Sequence, residues 1–308
     1  MNLNKILTGI FCCAAAISYS QANLLNAKIP EEIGLKTEAQ LLLDNDEPLE
    51  YGYVDDRDIL FSKMVWEKIV LDERVNFPLL YPIETNLGDD RKPLFEVLYN
   101  AIQTGDIPQV YADSYFRETR SLKEIETAMS YSAITDEGIN YLNSNSISDF
   151  QLEEDPSLLP EEYMIVERIT PADITEYLIK GLWYFDKRQA EMKYRLLAVA
   201  PTAPEAQFKN SDNPENRKPI PLFWVFYPEA RDVLHTAKAF NNKNSAMPIS
   251  FDHLLNSRRF NAYMYKEENV QGDREVSEYV TDNALMQLLE SERIKEKIRN
   301  FEQDMWSY

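Results

Sequence analysis

Six apolar residues in succession, Leu222-Phe223-Trp224-Val225-Phe226-Tyr227, lie between Pro221 and Pro228. The run is short, aromatic and β-branched, and both flanking prolines lack the N–H that a ladder needs. It therefore predicts a strand buried on both faces. Past Pro228 the pattern changes to Glu229-Ala230-Arg231-Asp232-Val233-Leu234, which reads as a helix with proline in its first turn and an acid near its start. Burying the aromatic side chains of the run contributes about 1.5–3 kcal/mol each, the strongest local source of a core. The pattern Pro-Leu-Phe-x-Val-x-Tyr also occurs at Pro93–Tyr99. There Glu96 and the residues that follow favour a helix, so coincidence outweighs duplication.

Elsewhere the patterning predicts a mixed chain. Asn23–Glu50 has little periodicity (Leu24-Leu25, Ile29-Pro30, Leu41-Leu42-Leu43) and reads as an extended arm with at most one helical turn over 38–43. Its leucines suit docking on another subunit as well as they suit a loose terminus. Asp55-Asp56-Arg57-Asp58 opens a predicted helix to about Arg74, with Ile59, Trp66, Ile69 and Val70 on one face. Phe77–Pro82 is predicted as a short strand. A helix over 93–104 turns Leu94, Phe95, Leu98 and Ile102 inward and ends at Gly105. A strand at 109–111 and a helix at 121–130 follow. Asp136–Glu162 turns to Asn, Ser, Glu, Asp and Pro and reads as a loop or linker. Beyond Tyr163 the chain is β-rich, with strands at Glu176–Phe185 and Met192–Ala200 joined by a turn at Asp186–Gln189, then a helix at 251–260 and a strand at 261–265.

The last helix, Asp282–Trp306, is the clearest. Glu290/Arg293, Glu292/Lys295 and Glu296/Arg299 are i,i+3 pairs that support an exposed face. Ile294, Ile298, Phe301 and Met305 form one stripe, while Leu285, Leu288 and Leu289 fall on roughly the opposite side. Such a helix either bends near Ser291 within the fold, the simpler expectation, or touches a second surface. Large aromatics at a terminus suggest docking, so Phe301, Met305, Trp306 and Tyr308 join Leu24, Leu25, Leu41 and Leu42 as candidate partner contacts. The fold class expected is α+β, with antiparallel sheet, packed helices and a long C-terminal helix. Its expected parts are 1–22, the arm 23–50, an α+β half 51–135, the linker 136–162 and a second α+β half 163–308.

The first residues change the picture of where the chain works. Lys5, an apolar stretch from Ile6 to Ile17, and Ser20-Gln21-Ala22 before Asn23 make a secretory signal peptide, with cleavage between Ala22 and Asn23. The stretch is too short for a membrane anchor. Lipidation at Cys12 or Cys13 is the rival, disfavoured because neither follows a Leu-x-small pattern. These are the two cysteines of the chain, so the processed protein is expected to have none, which removes disulfides, thiolate catalysis and Cys-ligated metal. The formal net charge of −20 argues against nucleic acid, which needs a basic footprint. No later stretch has the length and apolarity of a membrane span.

The residues offer little chemistry. The eight glycines are scattered singly, so no phosphate-cradling loop or dinucleotide fingerprint is present, and no Gly-x-Ser-x-Gly elbow exists. His235 and His253, eighteen residues apart, read as helix-surface residues, because zinc needs three or four converging ligands. Asp44-x-Asp46 begins like a calcium loop but meets Pro48 and Leu49 where glycine and ligands belong. No catalytic, cofactor-binding or metal residue is assigned. Carboxylates are abundant enough to keep a paired-carboxylate hydrolase as the alternative, although they cluster in solvated runs such as Glu153-Glu154-Asp155.

Three blocks carry a resemblance: Tyr177-Leu178-Ile179-Lys180-Gly181-Leu182-Trp183-Tyr184-Phe185-Asp186-Lys187-Arg188, Pro221–Leu234, and Glu292–Glu296 with Asn300–Trp306. Trp66–Pro82, with Asp72-x-Arg74 and Leu80-Tyr81-Pro82, adds a fourth. In order and spacing they resemble the GldN/PorN family of gliding-motility and type IX secretion components. Gly181-Leu182 ahead of Trp183 and the acidic 136–162 stretch depart from that pattern. The resemblance implies a non-enzymatic periplasmic structural subunit that self-associates in a ring. It implies a GldK/PorK-like outer-membrane lipoprotein and a GldM/PorM-like motor protein as partners, and no catalytic residues.

Overall fold

The computed structural model describes residues 47–51, 54–83, 92–145, 159–213, 215–240, 249–281 and 283–306. The strands are β1 (Ile59–Val70), β2 (Val110–Tyr111), β3 (Thr119–Arg120), β4 (Ser130–Ile134), β5 (Met164–Arg168), β6 (Glu176–Asp186), β7 (Glu191–Ala203), β8 (Ile220–Pro221), β9 (Trp224–Phe226), β10 (Lys238–Ala239), β11 (Ile249–Ser250) and β12 (Tyr263–Glu267). The helices are α1 (Phe77–Leu80), α2 (Leu94–Thr104), α3 (Leu122–Ala128), α4 (Asp136–Ser144), α5 (Tyr227–Thr236), α6 (Phe251–Asn256), α7 (Val276–Tyr279) and α8 (Ala284–Trp306). One antiparallel sheet runs in the order β12-β1-β6-β7-β9-β2-β3, with β8 also paired to β7. Two-stranded ribbons, β4–β5 and β10–β11, stand apart from it. The expected α+β class, with antiparallel sheet and a long last helix, is what the chain adopts.

Because side chains alternate across a strand, the sheet has two faces. Ile69, Tyr177, Ile179, Val199 and Val225 point to one, where Leu94, Phe95 and Leu98 of α2, Ala230 and Leu234 of α5, and Phe251 and Leu255 of α6 complete the main core; Val65 forms a smaller cluster with Met264, Val276, Ile294 and Ile298. Trp66, Leu178, Ala198, Ala200 and Trp224 point to the other. The Leu222–Tyr227 run feeds both faces as expected, although only Trp224–Phe226 is strand and the helix begins at Tyr227. Phe95 and Phe223, from the two echoing segments, stack with ring centroids 6.4 Å apart.

Three expectations are corrected. Residues 59–70 form the long strand β1, preceded only by a 3-10 turn at Asp56–Asp58. Its ladders to β6 and β12 are with residues far along the chain. The period-2 pattern is masked because the core-facing series includes Lys63 and Glu67, and Glu67 is wholly buried. Phe77–Leu80 is a helical turn, for Pro78 sits where a helix tolerates it best. Asp136–Ser144 is a helix as well: the Thr135 side chain accepts the Gly138 N–H, and Asp136 and Glu137 occupy the first turn.

The buried Glu67 is neutralised by Arg258, whose Nη2 donates to Oε1 at 3.0 Å while Nη1 lies 2.9 Å from Oε2. Arg258 takes a left-handed φ of 52° just after α6, and its guanidinium lies 4.0 Å from the Tyr194 ring centroid and 5.2 Å from that of Trp183. Burial, then the Glu67 charge, push the Tyr194 phenol well above its ordinary value. The ring lies across Gly181, where an added Cβ would meet Tyr194 Cζ at 2.2 Å. Gly181→Ala is expected to destabilise the fold by about 1–3 kcal/mol. Tyr194→Phe should not rescue it in chemical denaturation, because ring carbons as well as the hydroxyl occupy the space.

Candidate functional site

The 23-residue helix α8 is held in register by its charge pairs. Arg293 Nε donates to Glu290 Oε2 at 2.7 Å and Lys295 Nζ to Glu292 Oε1 at 2.9 Å. Its second half docks by the expected stripe: Ile294 and Ile298 are buried beside Val65, Met264 and Val276. Phe301 stacks on Phe61 at 4.3 Å and meets Phe185 edge-on at 6.1 Å. Phe301 and Met305 are half-buried.

The first half is amphipathic in the reverse sense. Positions continuing the docked stripe are polar and bonded inward: Gln287 Nε2 donates to Val280 O at 2.8 Å, the Tyr279 hydroxyl to Glu290 Oε1 at 3.2 Å, and the Met264 N–H to Ser291 Oγ at 2.8 Å. On the opposite side Leu285, Met286, Leu288 and Leu289 are 65, 50, 50 and 54% exposed. The helix runs unbroken through Ser291, so the expected bend does not fold this second face inward. Helical spacing separates the three leucines from the stripe, and Met286, at i,i+3 spacing from Leu289, widens their face.

The Arg293 guanidinium holds the Glu290 carboxyl below the usual carboxylate range, and burial together with Glu290 pushes Tyr279 up to about 12. A carboxyl depressed on folding contributes stability above its unfolded value, and that stability is lost as pH falls through the folded value.

Of the other candidates, Ala22, Asn23, Leu24, Leu25, Leu41, Leu42 and Tyr308 lie outside the described residues, as does the Trp306 side chain. The Asp44 and Asp46 loop lies outside them too. The arm's root is fixed: Arg231 Nη2 donates to Leu49 O, the Tyr51 hydroxyl to Leu196 O, and the Tyr51 ring lies 4.3 and 5.0 Å from the Arg195 and Arg231 guanidinium carbons. Arg231 is itself forked onto the buried Asp252, at 2.8 and 3.1 Å. His235 and His253 stand half-buried on α5 and α6. Among the described residues no group of three His, Cys, Asp or Glu could hold a metal ion, and no helix is long and apolar enough to cross a membrane.

Two surface depressions, of about 390 and 180 Å³, are lined by Val110, Arg120 and Glu124 and by Asp55, Asp58, Asp186 and Arg188. The displaced carboxyls among the described residues, Glu124, Asp186 and Glu290, all move down. A general acid needs the opposite direction.

A family model described as "Gliding motility associated protein GldN" matches residues 54–307. The chain belongs to the GldN family. The match spans β1 to α8 and includes the exposed leucines of α8, while the arm before residue 54 lies outside it. The family is a periplasmic component of the gliding-motility and type IX secretion machinery. No curated protein matches the chain.

The two halves of α8 should separate in urea unfolding. Ile294→Ala is expected to cost about 2–5 kcal/mol, whereas Leu285→Glu with Leu289→Glu should stay within about 0.5 kcal/mol per site, as surface changes do. Glu290→Gln should lessen the loss of stability on acidification; an unchanged acid profile would remove Glu290 from that role.

Proposed function

We propose that this GldN-family chain is a non-enzymatic structural subunit of the type IX secretion and gliding machinery, assembling in a ring at the outer membrane. A GldK/PorK-like lipoprotein and a GldM/PorM-like motor protein are its partners. The observation that carries this reading is the reversed half of α8, where four apolar side chains are presented to solvent and polar ones are turned inward. A contiguous apolar patch of this kind on an exported protein marks a protein contact. A closed ring needs two unlike, complementary surfaces on each subunit. The α8 patch is one; the residues before Glu47, with Leu24, Leu25, Leu41 and Leu42, and the C-terminal tip with Met305, Trp306 and Tyr308 supply the others. Phe301 contributes by seating that tip on Phe61.

Crosslinking mass spectrometry on isolated envelopes tests the assignment. Links between copies of the chain and to an outer-membrane lipoprotein are expected, and deletion of residues 302–308 should abolish co-purification with that lipoprotein. A chain that stays monomeric beside the lipoprotein and hydrolyses a glycan or peptide would instead be the carboxylate-dependent hydrolase.

A further inference from the structure

The patch on α8 is too small to hold two globular copies together by itself. Four side chains half exposed or more amount to a surface on the order of 400 Å². A stable interface between folded copies removes roughly 800 Å² from each partner. The patch is little longer than one helical turn, and an occupant of that size is encoded in the same chain.

Upstream of the anchored Leu49, within the one turn expected over 38–43, Ala39, Leu42 and Leu43 recur at i, i+3 and i+4. That is the spacing of one helical apolar stripe. Thr37 and Gln40 stand at capping-box spacing just before Leu41. We propose that residues 38–43 of a neighbouring copy lie along Leu285, Met286, Leu288 and Leu289, so that each subunit gives its arm to the next. This rests on the assembled-subunit reading above and names the segments that would make the contact.

Reach argues for the neighbour over the same chain. The arm is rooted on β7 and α5, through Leu196 and Arg231. The last helix crosses the sheet, Glu302 accepting from Met192 N–H of β7, but the half that carries the patch lies at the far end, where Ser291 meets Met264 of β12, three strands from β7. Three strand spacings are about 14 Å, and the patch faces outward by a further helix diameter of about 10 Å. The six steps from Leu43 to Leu49 span at most about 20 Å. Within one chain the link would be almost fully drawn out. Between copies the neighbour can stand where the same link suffices, and a head-to-tail exchange of unlike surfaces is what a ring requires.

The test uses residues 23–308, which contain no native cysteine. Leu42→Cys and Leu288→Cys variants are purified separately, mixed and oxidised. The expected product is a disulfide-linked pair of one copy of each, reduced about tenfold or more when Leu285→Glu and Leu289→Glu are added to the Leu288→Cys chain. A bond formed only within the doubly substituted Leu42→Cys/Leu288→Cys chain at high dilution would overturn the exchange in favour of a strap on the same subunit. Dimers of Leu288→Cys alone would overturn it in favour of two α8 faces meeting. If neither cysteine pairs while the unsubstituted protein still self-associates, the arm is not the occupant and the assembled-subunit reading stands. If the unsubstituted protein does not self-associate at all, that reading fails first.

Discussion

A carboxylate wholly withdrawn from water in the middle of β1 sets the terms for the rest of this fold. Glu67 is tolerable there because Arg258 meets both of its oxygens, and the two residues are 191 positions apart. Removing one member of such a pair leaves an uncompensated buried charge, at a cost of about 3–5 kcal/mol. The pair also dictates its surroundings. Arg258 approaches through a left-handed turn after α6, the Tyr194 and Trp183 rings cover its guanidinium, and Gly181 leaves the space that the Tyr194 ring fills. Three strands and one helix exit are thereby brought to a single arrangement.

The parts of the fold legible in the sequence are those whose signals are local. Gly105 at φ 83° ends α2, Ser121 caps α3 with Glu124 returning the bond, and the proline-bounded aromatic run sits in the core. The long α8, with its i,i+3 pairs, is equally plain. What could not be read is what depends on distant partners. β1 imitates a helix because Ile59, Trp66 and Ile69 also suit helical spacing, and only the ladder to β6 distinguishes the two. Lys180 likewise looks like a surface residue in its strand. In the structure it is buried, with its ammonium 5.0 Å from the Trp66 ring centroid and 4.8 Å from that of Tyr115, donating to Ser114 O. Burial lowers the pKa of this ammonium.

The candidate site was half legible for a similar reason. Periodicity shows that α8 carries two apolar directions, but not which of them meets the body. That choice is made by Val65 and Met264, which accept Ile294 and Ile298, and by the Ser291 hydroxyl, which leaves the leucine side outward. The aromatic C-terminus draws the eye as a docking element, yet Phe301 already spends much of its surface on Phe61 and Phe185.

The Ser291–Met264 bond has a wider consequence. β12 is a rim of the main sheet, and rims offer free peptide groups that invite runaway stacking between molecules. Here one such N–H is taken by a helix side chain, Lys266 is bridged to Glu275, and the opposite rim, β3, is only two residues long. Growth by adding strands is thereby discouraged at both margins. An exported protein crowded among its own copies is left to join them through side chains, in contacts whose number and angle can be limited.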